Sequence, residues 1–191
     1  MASKKYPSFN EKKATQLAAY LLSKTDGTPY PHISIIKLIY LIDRAALDRR
    51  GMAVSTDVYY CLPHGPVVSN IMNLAKGTVS IYGEGSWSDY IRPKGRYYLE
   101  LIEPAPTDEL SAFEIEIADE IFAEHGNKDW RDLRDETHDL PEYKDPTKDQ
   151  YGILSRYLSI KDILHALGKS REEINQAERR IEGQTILESL K

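Results

Sequence analysis

Five histidines, at positions 32, 64, 125, 138 and 165, and one cysteine, Cys61, are the side chains best suited to nucleophilic, general-base or metal chemistry. His138 has the most suggestive setting, within Asp135-Glu136-Thr137-His138-Asp139. Neighbouring carboxylates raise the pKa of an imidazole, so this segment could act as a proton switch or a general base. The same residues suit a structural histidine that closes a loop by hydrogen bonds, and this is the simpler reading. His64 precedes Gly65-Pro66, where a helix N-terminus would offer backbone N–H groups to an anion; as a turn residue it needs no ligand. Cys61 falls in Val58-Tyr59-Tyr60-Cys61-Leu62, and a buried strand cysteine is inert packing. No two histidines have the spacing of a helical zinc motif, and one thiol cannot build a thiolate metal centre. A Walker loop, a serine elbow and a dinucleotide fingerprint are all absent, Gly83-Glu84-Gly85 being too short a run to count. The expectation is a chain that is not an enzyme, with no catalytic residue, cofactor or metal.

The chain has 191 residues, 41 % of them hydrophobic, with 25 Lys+Arg against 30 Asp+Glu and a formal net charge of −5. That length and composition fit one domain with a real core and exclude low-complexity disorder. With a single cysteine no intramolecular disulfide can form, which points to a reducing cytoplasm. The most apolar stretch, Ile33 to Leu47, is interrupted by Lys37, Asp43 and Arg44 and is too short for a membrane span. The opening Met-Ala-Ser-Lys-Lys-Tyr-Pro lacks the apolar core of a signal peptide. No membrane partner is expected.

The charge is unevenly spread. Residues 1–100 carry 13 basic and 8 acidic side chains, whereas residues 101–150 carry 5 and 16. A solvated face is the plain explanation of such an acidic block. The functional one is a surface that repels nucleic acid and steers a basic partner, presented by Glu109, Glu116, Glu120 and Glu124.

Helical spacing of Ala14, Leu17, Ala18, Leu21 and Leu22 predicts a helix over 9–24, with Ser8 and Glu11 as a capping box. Ser34 is the expected N-cap of the next helix, with Ile33 stapled to Leu38. From Ile35 to Leu47 apolar residues cover most of the circumference, which marks the buried centre of a helical core. Arg49, Arg50 and Gly51 end that helix. A short strand follows at Val58 to Leu62, then a helix with Pro66 at its first position. Trp87 to Ile91 and Arg96 to Ile102 predict a hairpin around Arg92-Pro93-Lys94-Gly95. Further helices are expected from Thr107-Asp108-Glu109 to Gly126 and around Trp130 to Arg134. Two more open at Ser159, with Asp162, and at Ser170, with Glu173. The fold class is mainly α, with a minor β-hairpin in a small antiparallel sheet around a central buried helix.

Two surfaces stand out as partner-binding candidates. Trp87, Tyr90, Tyr97 and Tyr98 are either cross-strand packing pairs or an aromatic anchor surface. The order of three helices and a hairpin over residues 9–102 also suits a winged helix. Its wing would carry Arg92, Lys94 and Arg96, with Lys12, Lys13, Arg49 and Arg50 near phosphates. Against DNA binding, the third helix is mostly aliphatic, with only Asn70 and Asn73 to read base edges.

Lys37-Leu38-Ile39-Tyr40-Leu41-Ile42-Asp43, Gly51, His64-Gly65-Pro66-Val67 and Thr137-His138 followed by Pro141 together resemble the Panacea domain. That is the SocA-like, phage-associated antitoxin family. The resemblance runs from about residue 9 to 168, so residues 1–168 form the Panacea-like domain and 169–191 a C-terminal helical extension. His64 replaces the family's usual aromatic, and Tyr143 stands near the position of a Trp. The resemblance implies an antitoxin of a type II toxin–antitoxin system that binds and neutralises a cognate toxin. Some relatives instead act as adaptors that deliver the toxin to a protease, so a protease or chaperone is a further implied partner. The motif residues Lys37, Leu38, Tyr40, Asp43, Gly65, Pro66, Val67, Thr137 and His138 then serve the fold. Partner contacts are expected at Trp87, Tyr90, Trp130, Tyr143, the glutamates Glu109, Glu116 and Glu120, and the polar terminal helix. That helix has only Ile174, Ala177 and Ile181 as a partial stripe, so a homo-oligomer is also open. A DNA-binding regulator is the alternative.

Overall fold

Leu17, Ala18, Leu21 and Leu22 become the buried face of helix α1 (Glu11–Ser23) in the computed structural model, which describes residues 9–77, 86–148 and 154–189. Its N-cap is Asn10, whose side chain accepts from the Lys13 N–H at 3.0 Å. Ser8, the expected cap, lies outside the described residues. A two-residue strand, β1 (Tyr30–Pro31), leads directly into α2 (His32–Arg50). Pro31 occupies the N-cap position, so Ser34 lies within the helix, buried, rather than before it. Helix α2 is the central element, with Ile35, Leu38, Ile39, Ile42 and Leu47 fully buried. Gly51 ends it in the left-handed conformation at φ 66°, returning its N–H to Leu47 O.

The next region differs from the expectation. Pro66 does not open a helix; Gly65–Val68 form strand β3, paired antiparallel with β2 (Tyr59–Leu62) across a Pro63-His64 turn. The β-branched pair Val67-Val68 favours extended backbone and finds cross-strand partners in Tyr60 and Tyr59. Helix α3 (Ser69–Ala75) starts after the strand and is capped from outside by Asp57, which accepts from the Asn70 and Ile71 N–H groups, both at 2.9 Å. Trp87–Tyr90 likewise form a helical turn, α4, rather than a strand. The hairpin is therefore shorter than expected: β4 (Ile91–Lys94) and β5 (Tyr98–Leu101), with Lys94 opposite Tyr98.

Helix α5 (Ala112–His125) begins after a Ser111/Glu114 capping box, with Thr107–Leu110 forming a preceding turn. Helix α6 (Trp130–His138) is capped by Asp129. Strand β6 (Arg156–Leu158) then pairs with β2, and α7 (Ile160–Ala166) and α8 (Arg171–Ser189) complete the described chain. Of the three expected capping boxes, Ser159 with Asp162 and Ser170 with Glu173 are present, and the one at Ser8 falls outside the described residues. Ser159→Ala should therefore lower stability by about 1 kcal/mol in denaturant titration, and an unchanged midpoint would remove the box from the account of α7.

The fold is mainly α with two small antiparallel sheets, ordered β1-β5-β4 and β3-β2-β6, in place of the one expected. The first sheet, with α1, α2 and α3, has the winged-helix order, and the β2-β3 hairpin is inserted between α2 and α3. Helix α8 is fastened to the body by buried Ile174, Ala177 and Ile181 and by Arg180, which donates to Arg50 O at 2.7 Å. No helix among the described residues is long and apolar enough to cross a membrane.

Candidate functional site

Helical spacing puts Lys37, Tyr40, Asp43 and Arg44 along one side of α2, and each meets a different distant segment. Lys37 is fully buried and donates from Nζ to Pro66 O at 2.7 Å. Burial with no carboxylate beside it pushes its ammonium down to about 7. The lysine holds the β3 end of the hairpin against α2. Gly65 fits there at φ 95°, with Lys37, His138 and Thr137 packed around it. Thr137 is buried and donates to Arg134 O at 2.8 Å, the last turn of α6.

Asp43 lies six residues further along α2, a rise of about 9 Å, so it does not pair with Lys37. Its carboxylate accepts from the N–H groups of Val54 and Ser55 at 2.9 and 2.8 Å, from the Tyr59 hydroxyl at 3.0 Å, and from the Ser55 hydroxyl. Full burial still raises its pKa to about 6 despite these donors. Between the two centres, Tyr40 donates to Glu142 at 2.9 Å and Arg44 pairs with the same carboxylate at 2.7 Å. The Tyr40 and Tyr59 rings meet edge to face at 5.8 Å and join the two networks. Leu38 points to the apolar core, and Val67 is buried in β3.

His138 stacks on Tyr143, ring centroids 4.5 Å apart, and the Tyr143 hydroxyl donates to Leu62 O at 3.0 Å. Its pKa is lowered, first by burial and then by the charge of Lys37, so the flanking carboxylates do not produce a strengthened base. Asp135 is instead paired with Arg134. His138 closes the loop by stacking: with Tyr143 it clamps the turn at Leu62 to Gly65, while its Nε2 is buried without a hydrogen-bond partner among the described residues. Cys61 is buried, and burial raises its thiol pKa, which keeps it protonated. Among the described residues no group of three or more His, Cys, Asp and Glu is arranged to hold a metal ion. The site is thus a scaffold of buried polar contacts linking α2 to the β2-β3 hairpin and to α6.

Several members of this network carry no periodic or motif signal. Glu142 lies in a breaker-rich stretch, and Ser55 and Asp57 lie in a loop; only the fold brings them to Arg44, Asp43 and α3.

The partner-contact candidates divide. Trp87 is only 6 % exposed and belongs to the core, so it is not a surface anchor. Tyr90 is partly buried against the same core, and Tyr143 is engaged by His138. Trp130 is half-exposed at the start of α6, with the Arg131 and Arg134 guanidinium groups over its ring at 4.6 and 5.7 Å. The acidic block meets the basic first half of the chain. Lys12 pairs with Asp108 and Glu109 at 2.9 and 2.8 Å, Lys13 with Glu114 at 2.7 Å, Lys24 with Asp119 at 2.5 Å, and Arg49 with Glu120. Glu109 and Glu120 are therefore engaged internally, whereas Glu116 is part of no salt bridge among the described residues. Each surface pair contributes little, but together they match α5 to α1 and α2. On the wing, Arg92 and Lys94 both pair with Glu100. Arg50 lies over the Phe113 ring. The cations proposed for phosphate contact are thus largely engaged within the protein.

A family model described as "Antitoxin SocA-like, Panacea domain" matches residues 35–144, which include every motif residue from Lys37 to His138. No curated protein and no solved structure matches the chain.

Proposed function

The chain belongs to the SocA-like antitoxin family through its Panacea domain, and on that membership we propose that it neutralises a cognate protein toxin by direct binding. The observation that carries this reading is where the shared motif residues stand. Lys37, Tyr40, Asp43, Gly65 and Thr137 are buried and committed to internal contacts, which leaves recognition to exposed faces. In this mechanism the chain blocks or reshapes the toxin and makes or breaks no bond itself. The contact surface includes the outer face of α6, where Trp130 offers a flat, partly exposed ring of the kind that anchors interfaces. The proposed compartment is the cytoplasm, in keeping with an unpaired cysteine.

The test is co-expression with the adjacent reading frame. That neighbour should be toxic alone and harmless beside this chain, and a harmless neighbour would overturn the reading. Trp130→Ala should weaken toxin binding by roughly tenfold or more while the melting temperature stays within a few degrees. Unchanged binding would remove α6 from the interface. If the chain acts as an adaptor to a protease or chaperone, toxin protein disappears on co-expression; under simple blockade an intact complex persists.

The winged-helix order of the first sheet favours a second reading, a DNA-binding regulator. It requires steep loss of operator binding with added salt. The internal pairing of Lys12, Arg49, Arg92 and Lys94 weighs against it.

A further inference from the structure

An open cleft of about 360 Å³ lies between β6, α7 and the connection that follows α6, and Lys144, Arg156 and His165 all line it. They come from three separate segments: the connection supplies Lys144, β6 supplies Arg156 and α7 supplies His165. Neither Lys144 nor Arg156 forms a salt bridge with any of the described residues. Two carboxylates also reach the cleft, and both are already engaged. Glu142 accepts from Tyr40 and Arg44, at 2.9 and 2.7 Å. Asp162 accepts from the Ser159 N–H and hydroxyl at 3.1 and 2.6 Å, as the N3 member of the α7 capping box. Against the upward push of burial, its carboxyl is held down first by those bonds and then by the charges of Lys144 and His165.

Lys144 and His165 thus share the field of one carboxylate, Asp162, while Lys144 and Arg156 make no direct salt bridge among the described residues, on a polar wall held in place by regular structure. Pairing with β2 sets the backbone of Arg156, in register with Cys61, and the capping box sets the start of the helix that carries His165. An arginine fork is shaped for two oxygens of one group, and a lysine adds a point charge from another direction. We propose that the cleft binds an oxyanion, a phosphate or a carboxylate group, between Lys144 and Arg156, with His165 as a third donor. The two chemistries have different sources: a phosphate from a small phosphorylated molecule, a carboxylate from an acidic segment of a bound protein. The site stands independently of the antitoxin reading.

The test is calorimetric titration of the full chain at low ionic strength with inorganic phosphate and, separately, with a tetraglutamate peptide. Saturable binding of either probe is expected. It should weaken by at least about tenfold in the Lys144→Ala/Arg156→Ala double variant, the weight of one charge-assisted hydrogen bond. Both side chains are exposed, so the double variant should melt with the parent. Lys161→Ala, in the first turn of α7 but outside the cleft lining, should leave binding unchanged. Tighter binding of phosphate identifies the small-molecule source, and tighter binding of the peptide the protein source. No saturable binding of either probe, or binding equally affected by Lys161→Ala, overturns the proposal.

Discussion

Gly65→Ala should destabilise the protein by about 3–5 kcal/mol, through backbone strain and overpacking together. Gly65 has φ 95°, outside the regions an L-residue adopts readily. A Cβ at this position would also lie 2.5 Å from Lys37 Nζ, 2.9 Å from His138 Cδ2 and 3.0 Å from Thr137 Oγ1. Lys37 cannot swing away freely, because it is buried and bonded to Pro66 O. Gly95 is the control. It has φ 65° with nothing within 4 Å of its would-be Cβ, so Gly95→Ala should cost only the backbone part, about 1–2 kcal/mol. Urea unfolding of both variants checks this, and equal losses at the two positions would show that the crowding around Gly65 is relieved by movement.

Lys37→Met should produce a stability curve that crosses the parent's between about pH 7 and pH 10. In the folded parent the Lys37 ammonium titrates near 7, while in the unfolded chain it titrates at its ordinary value near 10.4. Below pH 7 both states hold the proton, and the full cost of a buried charge is present, on the order of 4 kcal/mol. Between those two values the unfolded chain binds more protons, so the parent gains stability as pH rises. Methionine has similar length and no charge, and so removes the cost. It also removes the bond to Pro66 O, which costs about 1–3 kcal/mol at every pH. The variant should therefore be more stable than the parent near pH 6 and less stable near pH 10. Asp43 and Asp57, both raised to about 6 by burial, act in a lower window. Their contribution is greatest below the unfolded value near 3.9 and is lost as pH rises towards 6, so it does not disturb the comparison above pH 7. Parallel curves for parent and variant would show that Lys37 stays charged in the folded protein.

Much of the architecture was legible because it depends on neighbours in sequence. The capping boxes at Ser159 and Ser170 and the left-handed stop at Gly51 involve groups a few residues apart. So does the apolar circumference of α2. The misreadings share a cause as well. Pro66 suits the first turn of a helix or a strand equally, and the choice was made by Tyr59 and Tyr60 across the hairpin. The hairpin reading left Trp87 open between cross-strand packing and a partner anchor, and the fold places it on a helical turn, buried against the core.

By itself, then, the sequence determined the longer helices, several of their ends, the central place of α2 and the motif set that carries the family. It also held both members of the ion pairs that join α1 and α2 to residues 101–150, as a basic first half and an acidic block. Only the tertiary structure decided how these were spent. Lys12, Lys13 and Arg49 meet Asp108, Glu114 and Glu120 roughly 70 to 100 positions away, which turns two apparent binding faces into one internal seam. Lys37, Gly65 and Thr137 likewise converge although 28 and 72 residues separate them along the chain. Local pattern reports what a segment prefers next to water or core; which charge meets which is set by chain crossings that no short window contains.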